Sequence, residues 1–179
     1  MNIKTLKKSY LLILCSVMMS VTVLAQGNKE QRVSPATVAK GTINGAAVTI
    51  NYGSPAVKGR KIWGDLVPYN KTWRAGANEA TTITTDKALK IQGKTLPAGK
   101  YSLYVVPGEK EWKIIFNSET GQWGIKRTGE TTDDATKDVL TVIAKPVKSA
   151  KMNERLVYSI AKNGFTISWE NLTVPVIFK

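Results

Sequence analysis

The chain has 179 residues, with 26 Lys and Arg, 13 Asp and Glu, no His and one Cys, for a net charge of +13. The single thiol, Cys15, lies in an N-terminal apolar stretch, so a processed chain would carry neither thiol nor imidazole. That composition excludes thiol and Ser–His–Asp catalysis, thiolate or imidazole zinc sites, CxxC redox chemistry and an intrachain disulfide.

In chain order, residues 1–25 read as a signal peptide. Lys4, Lys7 and Lys8 form a basic start, Tyr10 to Leu24 is apolar, and Val23 and Ala25 are the small residues of a cleavage site before Gln26. The apolar run is short for a membrane span of about 20 residues. It continues well past Cys15, whereas a lipoprotein signal ends at its cysteine. The expectation is an exported chain, periplasmic or extracellular, with no transmembrane span after removal of the signal. Subtracting three lysines leaves 23 basic and 13 acidic residues, a balance of +10. Such a surface suits anionic partners or serves solubility alone. No nucleic-acid module motif is present, so nucleic acid is not expected as a partner.

Residues 26–35 form a polar lead-in, expected to be mobile, ahead of a single β domain over 36–179. Runs at Ala36–Ile43 and Ala46–Tyr52 flank Asn44-Gly45, a type I′ hairpin signal. The same signal recurs at Asn163-Gly164, between Glu154–Ala161 and Phe165–Trp169. Between them, strands are predicted at Thr81–Thr85, Ala88–Ile91, Tyr101–Val106, Trp112–Asn117 and Val139–Lys145, with a last one at Val174–Phe178. A short helix is predicted over Thr132–Asp138. Nine or ten short strands with Gly, Pro and Asn turns give an all-β fold. An antiparallel β-sandwich, jelly-roll or Ig-like, is expected, with a long structured loop over one end. Tyr101, Trp112, Phe116, Tyr158, Phe165, Trp169 and Phe178 are its predicted core aromatics.

Residues 53–80 do not read as a strand. A connection of this length is usually functional or carries its own structure. Arg60 and Arg74 offer planar forks for carboxylate, phosphate or sulfate. Trp63, Tyr69 and Trp73 offer faces for a sugar ring or another planar group, and Asn78 and Glu79 offer orienting polar atoms. These seven residues are the candidate ligand-binding set, for an anionic or carbohydrate ligand. The competing reading is a plug, in which the tryptophans fill the core and Arg74 pairs with Glu79 or Asp65.

The segments Gly59-Arg60-Lys61-Ile62-Trp63-Gly64, Leu66-Val67-Pro68-Tyr69 and Trp73-Arg74-Ala75-Gly76-Ala77-Asn78-Glu79-Ala80-Thr81 resemble the signature of a bacterial secreted family, domain of unknown function 2911. Leu96-Pro97-Ala98-Gly99-Lys100-Tyr101-Ser102-Leu103, with Pro107 and Trp112, is similar to its second block. The resemblance spans roughly residues 34–179. It implies an exported β-rich domain and no assigned activity. Ala75 stands where that pattern leads one to expect Thr.

Three function classes follow. The first is a non-catalytic binding or envelope-associated module with its site on residues 58–79. The second is a hydrolase of a glycan or envelope component, with Asp65 and Glu79 as its carboxylate pair. The third is a structural interaction domain using a sheet edge. No metal site and no cofactor are expected. Glu130, Asp133, Asp134 and Asp138 lack calcium-loop spacing and read as helix capping. No GxSxG or SxxK pattern is present, and Gly93-Lys94-Thr95 lacks the first glycine of a phosphate loop, so it reads as a tight turn.

Overall fold

The computed structural model describes residues 29–178. The signal peptide expected over 1–25 lies outside the described residues. The described residues fall into two units, divided between Arg32 and Val33. Of the first, the described part is a 3-10 turn at Lys29–Gln31 and the residue after it.

The second unit contains ten strands, all paired antiparallel. They are β1 (Ala36–Ile43), β2 (Ala46–Gly53), β3 (Thr82–Thr85), β4 (Leu89–Ile91), β5 (Lys94–Leu96), β6 (Gly99–Val106), β7 (Trp112–Asn117), β8 (Asp138–Ala144), β9 (Val147–Ala161) and β10 (Gly164–Ile177). A six-stranded sheet runs in the order β1-β2-β3-β6-β7-β8, β9 and β10 form a long ribbon, and β4 and β5 form a small hairpin. The ribbon lies with β9 along β1 and β10 near β8. Period-2 alternation sets which residues face inward. Ala46, Val48 and Ile50 of β2, Leu103 and Val105 of β6, and Trp112, Ile114 and Phe116 of β7 meet Leu156, Phe165, Ile167 and Val176 of the ribbon in one core. All seven predicted core aromatics are buried. Burying one large aromatic side chain typically contributes about 3 kcal/mol.

The first hairpin has the expected turn, with Asn44 at φ 47° and Gly45 at φ 83°. The second departs from expectation. Gly164 pairs with Ala161, so the turn residues are Lys162 and Asn163. Gly164 belongs to the strand, where a β-carbon would lie 2.1 Å from the Val176 carbonyl oxygen. The two tips join, with Asn44 N donating to Lys162 O at 2.8 Å, and Phe178, just after β10, donates from its N to Asn163 O at 2.8 Å. The two strands predicted after Asn163 are one, bent at Glu170, whose φ is 53°. The tight turn expected at Gly93 sits between β4 and β5, with Gln92 and Gly93 both at positive φ.

The helix predicted over Thr132–Asp138 is only a 3-10 turn, Ala135–Lys137, capped by Asp134, whose side chain accepts from Thr136 N. The four acidic residues near it each have their own partner. Asp133 takes the Thr131 hydroxyl, Asp138 takes Asn117, Asp134 takes Thr136, and Glu130 lies 3.8 Å from Lys126. Among the described residues, no helix is long and apolar enough to cross a membrane.

Candidate functional site

The 28 residues between β2 and β3 do not float over the sandwich; backbone hydrogen bonds pin them along their length. Val57 N donates to Glu154 O at 2.7 Å and Leu156 N donates to Pro55 O at 3.0 Å, laying Pro55–Val57 beside β9. Asn70 N donates to Pro107 O at 2.8 Å. Trp73 and Val105 exchange both backbone bonds, at 2.7 and 2.9 Å, an isolated antiparallel bridge to β6. Reversals between these points need left-handed backbone, supplied by Lys58 and Gly59, Gly64, Asn70, Ala75 and Asn78. Ala75 is fully buried at φ 57°, and its carbonyl accepts from Thr81 Oγ1 at 3.0 Å and from the Tyr158 hydroxyl at 2.7 Å. Beneath it, Gly53 is required, because a β-carbon there would lie 2.1 Å from Ala77 O.

Residues 33–35, at the end of the expected lead-in, are tied to this segment. Asn78 Nδ2 donates to Ser34 O at 2.8 Å, and Ser54 N donates to Pro35 O at 2.9 Å.

Trp63 and Trp73 meet Trp112 of β7 and Trp169 of β10 in a four-indole cluster. Trp63 lies 4.7 Å from Trp112 and 5.8 Å from Trp169, and Trp73 stacks on Trp169 at 5.9 Å with an 18° interplanar angle. The indole nitrogens of Trp63, Trp112 and Trp169 are buried with no hydrogen-bond acceptor among the described residues, and the rings pack against one another. Trp73 differs, donating from Nε1 to Gly76 O at 3.2 Å.

Beside the cluster opens a cleft of about 580 Å³. Four cations line it: Lys58 and Arg60 from one arm of the segment, Lys71 and Arg74 from the other. Trp73 and Trp169 contribute indole surface, and Ile125, Gly129 and Thr131 come from the connection between β7 and β8. Among the described residues, no Asp or Glu lines the cleft. Arg60 is held in place by its own loop, with Nε donating to Val57 O at 3.0 Å and Nη2 to Ala56 O at 2.6 Å. Arg74 is half-buried, its stem packed where a β-carbon on Gly124 would touch it, and Nη1 reaches Trp123 O at 3.3 Å. Burial pulls its guanidinium below the ordinary arginine range, and the charge of Glu79 opposes that shift. A partly desolvated cation in a cleft without carboxylate lining favours an incoming anion.

Of the seven candidate residues, Arg60, Trp73 and Arg74 line the cleft. Trp63 is in the core, as the plug reading expects. Tyr69 is half-buried against Gly64, where a β-carbon would lie 2.9 Å from its Cε2. Asn78 fastens Ser34, and Glu79 is half-buried within the field of Arg74. Asp65 is exposed on the turn after Trp63. Neither Asp65 nor Glu79 lines the cleft. Sequence reasoning missed Lys58 and Lys71, which the same segment displays, and Trp169, whose strand alternation marks it only as core. Ile125, Gly129 and Thr131 carry no local signal for this wall.

The family model described as Protein of unknown function (DUF2911) matches residues 34–178. No curated protein and no solved structure matches the chain.

Proposed function

The chain belongs to the family described as Protein of unknown function (DUF2911), a membership that assigns no activity, and from the cleft itself we propose that the protein is an exported, non-catalytic binding module for an anionic ligand. One observation carries the reading: Lys58, Arg60, Lys71 and Arg74 surround a cleft with no carboxylate lining among the described residues. Its volume lies within the range of about 300–1,000 Å³ common for small-molecule sites. Arg60 is preorganised, because two of its five N–H donors are committed to loop carbonyls, which fixes the plane in which the two on Nη1 and the second on Nη2 remain. The lining favours binding over glycan hydrolysis through Asp65 or Glu79, since neither carboxylate lines the cleft. Export rests on the basic, apolar and small-residue zones of residues 1–25, and a secreted product starting at Gln26 is the expected result of N-terminal sequencing.

The test removes the exposed charges, which hold no structure. Lys58→Ala/Lys71→Ala leaves the melting temperature unchanged and weakens binding of anionic probes, followed by calorimetry, by about tenfold. Unaltered binding in that variant, or no binding of any anion by the parent protein, rejects the reading.

A further inference from the structure

The cleft's cations say that a ligand is negative; the rest of its lining says what carries the charge. Pro55, Leu66, Val67, Pro68, Trp73 and Ile125 make most of the wall apolar. At the rim, Val33 is 73% exposed and Leu66 45% exposed, an open apolar margin beside exposed Lys58 and Lys71. The neutral hydrogen-bonding side chains are Ser34, Thr72 and Thr131, and among the described residues no Asn or Gln joins them. A sugar presents adjacent hydroxyls, which need paired donors and acceptors once desolvated. This lining supplies few acceptors, so burying a sugar here would leave hydroxyl donors unmet. Nor is Trp73 an open platform on both sides, because one face of its ring lies against Trp169.

Building on the anion-binding reading, we propose that the cleft takes an amphipathic anion, a carboxylate or phosphate borne on an apolar body, rather than an acidic saccharide. The charged head meets the fixed fork of Arg60 and the desolvated Arg74, with Lys58 and Lys71 at the margin. The apolar body covers the exposed Leu66 and Pro68 and the half-buried Trp73 indole, where removing water from both partners adds to the electrostatic attraction. A free fatty carboxylate and a lipid phosphate share this chemistry.

The test titrates the purified protein with laurate, dodecyl phosphate, inorganic phosphate, dodecyl maltoside and an oligogalacturonate, each alkyl probe below its micelle concentration. At least one alkyl anion binds at least about tenfold tighter than inorganic phosphate and than the uncharged maltoside. The tighter of laurate and dodecyl phosphate identifies the head group. Leu66→Ser, a neutral change at an exposed position, weakens the alkyl anion by about tenfold while leaving inorganic phosphate binding little changed. Preference for oligogalacturonate, or equal binding of inorganic phosphate and the alkyl anions, overturns this inference and leaves the anion-binding reading standing. Absence of binding by every charged probe removes both. Equal binding of dodecyl maltoside and the alkyl anions also overturns it, because the tail alone would then account for the affinity.

Discussion

Tyr158 shows how one side chain ties the functional segment to the sandwich. Its hydroxyl donates to Ala75 O at 2.7 Å, its backbone N donates to the Tyr52 hydroxyl at 3.3 Å, and the two rings lie 4.7 Å apart. Burial first, then the neighbouring Tyr52, pushes the Tyr158 hydroxyl well above its ordinary pKa, while a hydrogen bond with Thr81 opposes the shift. Burial raises Tyr52 as well. An acid with a raised folded-state pKa stays protonated after the unfolded chain has begun to ionise near pH 10. Unfolding then releases protons, so the stabilisation is complete below about pH 10 and is lost as the pH rises above it. Tyr158→Phe therefore has two expected effects in denaturant titrations. At neutral pH it costs about 1 kcal/mol, the lower end for a buried hydrogen bond, because Ala75 O keeps its bond from Thr81. Above pH 10 it makes the decline in stability shallower without abolishing it, since Tyr52 remains. An unchanged alkaline slope would show that Tyr158 does not govern it.

The two Asn-Gly pairs show how far an element can be read from its residues. Gly45 sits in a turn at φ 83° with no atom near its missing β-carbon, whereas Gly164 sits in a strand against the Val176 carbonyl. Gly45→Ala is expected to cost about 1 kcal/mol from left-handed strain alone. Gly164→Ala adds a backbone collision at 2.1 Å and is expected to cost more, about 2 kcal/mol or above, in the same denaturation experiment. Equal losses would mean that the ribbon end yields to the added methyl. The dipeptide signalled both hairpins correctly, because strand alternation on either side is local. It misplaced the second turn, because whether Gly164 serves a turn or a close approach depends on Val176, twelve residues on. The ribbon was legible in its regular half and at the end of β10, and illegible between them. Between Asn153 and Lys148 its register slips against Glu170 and Leu172, and that irregularity interrupts the period-2 pattern. The candidate site was legible where charge and aromatics cluster in one segment, as with Arg60, Trp73 and Arg74. It was illegible where the sandwich brings Trp169 and residues 125–131 to the same cleft from distant positions.

At the scale of the whole molecule, the basic excess and the cleft act together. The sequence has twice as many Lys and Arg as Asp and Glu, and no His. An anion approaching the cleft therefore enters a positive field, with no side chain whose unperturbed pKa falls between about pH 6 and 8. The affinity for a carboxylate probe, itself fully ionised in that window, should accordingly change little across it and fall with ionic strength, since the Debye length shrinks to about 3 Å at 1 M salt. The two charged layers respond differently. Lys58 and Lys71 are exposed and screened by salt, while Arg74 is half-buried and screened less. Calorimetric titration of a charged alkyl probe between low and high salt should therefore show an affinity that declines and then levels off above zero. Lys58→Ala/Lys71→Ala removes most of the declining part. Arg74→Ala lowers the level that remains, with the apolar contact of the probe sustaining the rest. A salt dependence untouched by the lysine pair would place the anion's charge outside the cleft, on the general basic surface.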